Sequence, residues 1–196
     1  MRLPPLQALA ALLLVATPAL GADGGKAAAS GGAGISSFAA GGGIIAPIGT
    51  QYVTIGSAAS FGADVYVTQP ALGPDLDLRF SGFYAPFSVK NIPGASANLG
   101  MIGFLGGAEF HAPGSQGRIS PYFGLQIGAV YEFLSFPNAN GSAQDATIAF
   151  GARAVPGIEF PFGGSVSLLL EVPALGVFGK SASLIAGGAG SLRFRL

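Results

Sequence analysis

The sequence predicts an all-β protein, an eight-stranded antiparallel up-and-down transmembrane β-barrel, and three observations predict it. Half of the 196 residues are hydrophobic and only 9% are charged, a composition that suits a bilayer better than water. Beyond the N-terminal segment, no stretch reaches the length an apolar spanning helix needs. Residues 99–108 are too few, and residues 168–178 are broken by Glu171 and Pro173. From Ile35 onward the chain instead alternates apolar with small or polar residues, in segments separated by Gly, Pro, Asn and Ser. A closed barrel is the other structure that pairs all its backbone groups in lipid.

Residues 1–22 read as a signal peptide. Arg2 supplies the positive end, residues 6–15 form an apolar core interrupted by Gln7, and small residues follow Pro18. Cleavage is expected after Gly21 or Ala22. Residues 23–34 are Gly-rich and read as a flexible leader, which leaves 35–196 for the barrel. There is no cysteine, which excludes a disulfide and a lipid-modified N-terminus. Nine basic residues balance nine acidic ones, so no basic stripe for nucleic acid is expected.

Eight strands follow in order, at 35–48, 57–69, 76–89, 97–111, 118–136, 145–162, 165–178 and 182–196. Each exceeds the ~9–11 residues that a tilted strand needs to cross hydrocarbon. The fifth shows the pattern best. Ile119, Pro121, Phe123, Leu125, Ile127, Ala129, Tyr131 and Phe133 share one face, and Ser120, Tyr122, Gly124, Gln126, Gly128, Val130 and Glu132 the other. In the third, Leu76, Leu78, Phe80 and Tyr84 oppose Asp77, Arg79 and Ser81. The sixth sets Ile148, Phe150, Ile158 and Phe160 against Thr147, Arg153 and Glu159. The seventh sets Val166, Leu168, Leu170 and Val172 against Ser165, Ser167 and Glu171. In the last, Leu192, Phe194 and Leu196 oppose Arg193 and Arg195.

Alternation alone does not say which face points inward. Lysine occurs only at 26, 90 and 180, outside the strand interiors, whereas a solvated surface is about a quarter charged or more. A polar interior and an apolar exterior therefore fit best. Gly163-Gly164 reads as a two-residue hairpin, and Gly73-Pro74 and Pro113-Gly114 as turns. With both termini in the periplasm, these three turns are periplasmic and 49–56, 90–96, 137–144 and 179–181 are short outer loops.

Three stretches carry a resemblance. They are 120–129 (SPYFGLQIGA), Leu76-Asp77-Leu78-Arg79-Phe80 through Tyr84, and Val166-Ser167-Leu168-Leu169-Leu170-Glu171. From about Ile35 to the end, the chain resembles the small outer-membrane β-barrel superfamily, the OmpA-like and opacity-porin-like proteins. The resemblance implies the outer membrane of a double-membraned bacterium, with outer-membrane lipids and the barrel-assembly machinery as partners. A monomer is the favoured oligomeric state, no cofactor is expected, and the peptidoglycan-binding domain that follows some such barrels is not expected after the last strand. The chain departs from the family by ending in Leu196, where the family usually has an aromatic residue.

The inward face would carry Asp64, Asp77, Arg79, Glu109, Glu132, Arg153, Glu159, Glu171, Arg193 and Arg195. Charges in a narrow lumen must be paired, so an interior ionic network is expected. The network reads as a plug, or as a gate in which Arg153 and Glu171 part. His111, the only histidine, falls beside a turn with Glu109 on its face, and no metal or catalytic set has suitable spacing. Gly41-Gly42-Gly43 and Gly187-Gly188 mark barrel bends, and Phe38, Phe61, Phe110, Tyr131, Phe133, Phe160 and Phe178 suit interfacial girdles. The expected function is a non-enzymatic structural role in the envelope, with weak pore activity. A narrow channel for small or hydrophobic solutes, a surface adhesin and a soluble periplasmic barrel stay open as alternatives.

Overall fold

The computed structural model describes residues 33–49, 55–89, 97–113, 118–138, 141–179 and 182–196, with side chains left out at 136–144. The predicted signal peptide, most of the leader and most of the outer loops lie outside the described residues.

The strands are β1 (Gly34–Ile48), β2 (Ala58–Thr68), β3 (Leu76–Val89), β4 (Ala97–His111), β5 (Ser120–Asn138), β6 (Gly141–Pro161), β7 (Val166–Glu171), β8 (Ala174–Phe178) and β9 (Ala182–Arg195). Each pairs antiparallel with its neighbour, and β1 pairs with β9 from Ser37↔Arg195 to Ile48↔Leu184, which closes the ring. Closure removes the sheet edges that hydrocarbon does not tolerate.

Nine ladder segments make eight staves. Both β7 and β8 lie between β6 and β9, and the register holds across the gap: Gly157 faces Glu171, and three residues on Ala154 faces Ala174. Pro173 has no N–H to donate, so the ladder skips one bond without slipping. The Val172 N–H donates to the Pro156 carbonyl at 3.0 Å, and the Pro173 carbonyl accepts from the Gly187 N–H at 3.1 Å. The predicted strand 165–178 is thus one stave in two runs.

The Gly163-Gly164 hairpin differs from expectation. The Phe162 N–H bonds the Val166 carbonyl at 2.9 Å, so the chain turns through three residues, Gly163, Gly164 and Ser165. Gly163 carries the positive φ of 143° that this turn requires. Before β3, a short 3-10 turn at Pro70–Leu72 ends on Gly73, with φ 96°.

Side-chain direction follows the alternation read from the sequence. Along β5, Leu125 and Ile127 are 51% and 61% exposed, whereas Gln126 and Val130 are 2% and 0%. The same holds around the ring, where Phe61, Phe80, Ile148, Phe150 and Phe178 all stand outside. A wall of this kind is solvated by hydrocarbon, not by water. Of the expected girdle, Phe38, Phe61, Phe110, Tyr131 and Phe178 are exposed, and Phe133 and Phe160 half-buried. At the β1–β9 seam a Cβ on Gly41 or Gly43 would run into the β9 backbone, so the predicted bend coincides with a close approach only glycine permits.

The interior corrects the expectation of a uniformly polar lumen. At the outer-loop end, Ile45, Phe87, Met101, Leu105, Val130, Leu175, Val177 and Ile185 pack across the bore as an apolar core. Apart from Glu132, the inward charges named from sequence occupy the half nearest the termini and the short turns. Small and apolar inward residues fill most of the bore at the loop end.

A charge cluster across the barrel lumen

Arg79 stands at the centre of the polar half, 1% exposed. Parity on β3 aims it inward, and three carboxylates reach it, two from the neighbouring staves and one from across the bore. Its Nε and Nη2 donate to the two oxygens of Asp64 at 3.1 and 2.9 Å, a bidentate pair across β2–β3. Its Nη1 donates to Glu109 Oε2 at 2.9 Å and to Glu171 Oε1 at 2.6 Å, the latter from across the bore. Ser81 also donates to Asp64, and Gln126 donates to Ser81 at 2.6 Å.

Glu171 is held from a second direction. The Tyr122 hydroxyl donates to its Oε1 at 2.8 Å. The cross-strand row Tyr122, Gly157, Glu171 explains how. With no side chain on Gly157, the Tyr122 ring lies over β6 and reaches β7. A Cβ at 157 would collide with that ring.

Nearer the chain termini, Arg193 is the second hub. It donates to Ser37 at 2.8 Å and Asp77 at 2.7 Å, and lies 3.4 Å from Glu109 and 3.6 Å from Glu159. Arg195 reaches Glu159 at 2.5 Å, and Thr68 donates to Asp77 at 2.7 Å. The Tyr66 ring, fully buried, lies 3.9 Å from the Arg193 guanidinium and 5.5 Å from that of Arg79, so cation–π contact joins the hubs.

Of the ten residues named from sequence, Asp64, Asp77, Arg79, Glu109, Arg153, Glu159, Glu171, Arg193 and Arg195 share this network. Glu132 does not. It pairs in register with Met101 and Thr147, beside the apolar tier, and forms no ion pair among the described residues. Arg153 is the most loosely held member, 3.8 Å from Glu171 and 3.5 Å from Gln126. Glu171 binds Arg79 and Tyr122 far more closely, so Arg153 with Glu171 is not the central pair that the gate reading took it for.

His111 belongs to the cluster, and Glu109, which shares its face, is its nearest carboxylate. Its Nε2 is 3.1 Å from Glu109 Oε1 and 3.8 Å from Asp77 Oδ2, and its Nδ1 is 4.0 Å from Glu159 Oε2. At 3.1 Å from Glu109, Nε2 aligns no hydrogen bond. Tyr66, Tyr122, Gln126 and Ser81 are the other members that a reading of charged residues alone passes over. Strand parity was the available signal, since each shares its face with a named charge.

Two spaces flank the cluster. A chamber of about 70 Å³ lies between the tiers, with Asp64, Arg153 and Glu171 on one side and Phe83, Leu175 and Ile185 on the other. A vestibule of about 620 Å³ opens at the terminal end, lined by Asp75, His111, Arg118, Glu159 and Arg195 among others. Among the described residues no set of three His, Cys, Asp or Glu side chains is arranged to hold a metal ion. The cluster's chemistry is to cross-link staves and fill the bore with fixed, ion-paired charge.

No protein-family model matches the chain, and no curated protein matches it by sequence. Solved structures do match it. Neisserial surface protein A aligns over 84% of this chain and 99% of its own, at 17% identity and TM-score 0.57. OprG, an outer membrane protein of Pseudomonas aeruginosa, aligns over 83% and 96%, at 12% identity and TM-score 0.54. Ail, the attachment invasion locus protein of Yersinia pestis, aligns over 81% and 97%, at 11% identity and TM-score 0.53. At these identities the likeness is one of fold. With its closed eight-stave ring and outward apolar wall, the chain has the fold of the small outer-membrane β-barrel proteins.

Proposed function

We propose that this protein is a non-enzymatic, integral outer-membrane barrel whose lumen is closed at rest and whose role is to stiffen the envelope, with weak pore activity when the plug parts. One observation carries the reading: Arg79, 1% exposed, ties carboxylates from three other staves into one hydrogen-bonded knot. An ion entering from the vestibule would have to break that knot, then cross an apolar tier that offers it no partner. His111 has carboxylates and an aromatic ring for neighbours, which supports a part in the knot rather than in catalysis. In this reading outer-membrane lipids solvate the wall, the barrel-assembly machinery inserts it, and the barrel is a monomer.

The vestibule favours a second reading, a narrow polar channel whose terminal mouth is already open. A deletion strain separates the two. The structural reading expects a strain sensitive to detergents and large antibiotics, rescued by a variant that cannot open. A strain with an intact permeability barrier that grows poorly on one small solute would favour the channel instead.

A further inference from the structure

Two basic side chains address the same three carboxylate oxygens. Arg193 contacts Asp77 Oδ2, Glu109 Oε1 and Glu159 Oε2, and His111 faces those same atoms from β4. One of the two is always charged, and the other is a side chain with both a neutral and a charged form. The count within the cluster makes that difference consequential. Asp64, Asp77, Glu109, Glu159 and Glu171 are five carboxylates, and Arg79, Arg153, Arg193 and Arg195 are four guanidiniums. A neutral imidazole leaves one negative charge unmatched in a narrow bore, and an imidazolium matches it.

We propose that His111 is the switchable cation of the plug, which is electroneutral and tightest when the imidazole is protonated and loosens when it is not. Glu109 is the principal partner: its Oε1 lies nearer to His111 Nε2, at 3.1 Å, than to Arg193 Nη1, at 3.4 Å. Protons have access, because His111 lines the vestibule, which Asp75 and Arg118 also share. The remaining faces of the imidazole meet the Tyr122 ring at 5.6 Å and, through Glu159, Arg195.

The proposal rests on the reading of the cluster as a plug, and the experiment separates the two. The refolded full-length protein and its His111→Gln variant are compared between about pH 5 and pH 8, the range in which histidine changes charge. Urea midpoint and single-channel opening frequency are recorded for both, with the imidazole ¹⁵N shifts of the unsubstituted protein. The expected result is a midpoint that falls with pH and openings that become about fivefold more frequent, the lower end of the range for coupled sites, with both responses flat in the variant. Parallel responses in the two proteins, or an imidazole that stays neutral throughout, overturn the switch. Should the variant not refold, the nitrogen shifts and the pH response of the unsubstituted protein decide. Steady conduction at every pH would instead sink the plug reading itself.

Discussion

Replacing Arg79 with Met removes the guanidinium while keeping a side chain of similar length. Four charge-assisted hydrogen bonds disappear, and Asp64, Glu109 and Glu171 are left buried without their shared cation. Each such bond is worth roughly 1.5–3 kcal/mol when its partner stays behind, but four of them overstate the loss, since the carboxylates relax towards Arg193 and Arg153. Removing one partner of a buried ion pair costs about 3–5 kcal/mol, and that is the loss expected here. Urea titration of the barrel refolded in phospholipid vesicles reads it directly. Combined with Glu171→Gln, the change is predicted to be non-additive by about 1–3 kcal/mol, because the two residues share a bond. A loss below about 0.5 kcal/mol, or strict additivity, would mean that the cluster does not hold the staves together.

The remaining predictions use the same titration. Tyr122→Phe deletes one buried donor to Glu171 and is expected to cost about 1–3 kcal/mol, with the fold retained. Gly157→Val drives a side chain into the Tyr122 ring, costs about 1–3 kcal/mol by overpacking, and costs much less when Tyr122 is already Ala. Ile127→Lys places a charge on the middle of the outer wall and is expected to cost about 2–4 kcal/mol; a water-facing surface would accept it at almost no cost. Leu105→Ala, in the apolar tier, is expected to cost about 2–5 kcal/mol as a cavity and to raise ion leakage.

Most of the fold is legible in the sequence because a strand's side chains alternate with a strict period of two. One register for each segment then fixes every side chain's face, as β5 shows from Ser120 to Val130. Three local details escape that logic, the first a register shift in β1 between Ile35 and Ser37. The break at Pro173 depends on a missing donor that shifts no register, and the three-residue turn at Gly163 depends on which backbone bond closes the hairpin.

The site is less legible, for physical reasons. Parity places charges inside but says nothing about height along the bore, so Glu132 looks equivalent to Glu109 although it sits beside the apolar tier. Height also hides the division of the lumen, since Val130, Leu105 and Val177 share the inward parity of Gln126 and Arg79. Contacts across the bore, such as Arg79 with Glu171, join staves that are not neighbours, and pairing rules within a sheet do not reach them. The same holds in part for His111: Glu159, one of its three carboxylates, comes from β6, which does not pair with β4.

The central claim is that the lumen is closed by an ionic knot beneath an apolar tier. Single-channel recording of the refolded protein in a planar bilayer tests it most directly, on a sample whose unboiled gel migration shows a folded barrel. The account predicts a silent bilayer with rare, brief openings that become frequent in Arg79→Met. A steady conductance in the unsubstituted protein, unchanged by that substitution, would contradict it.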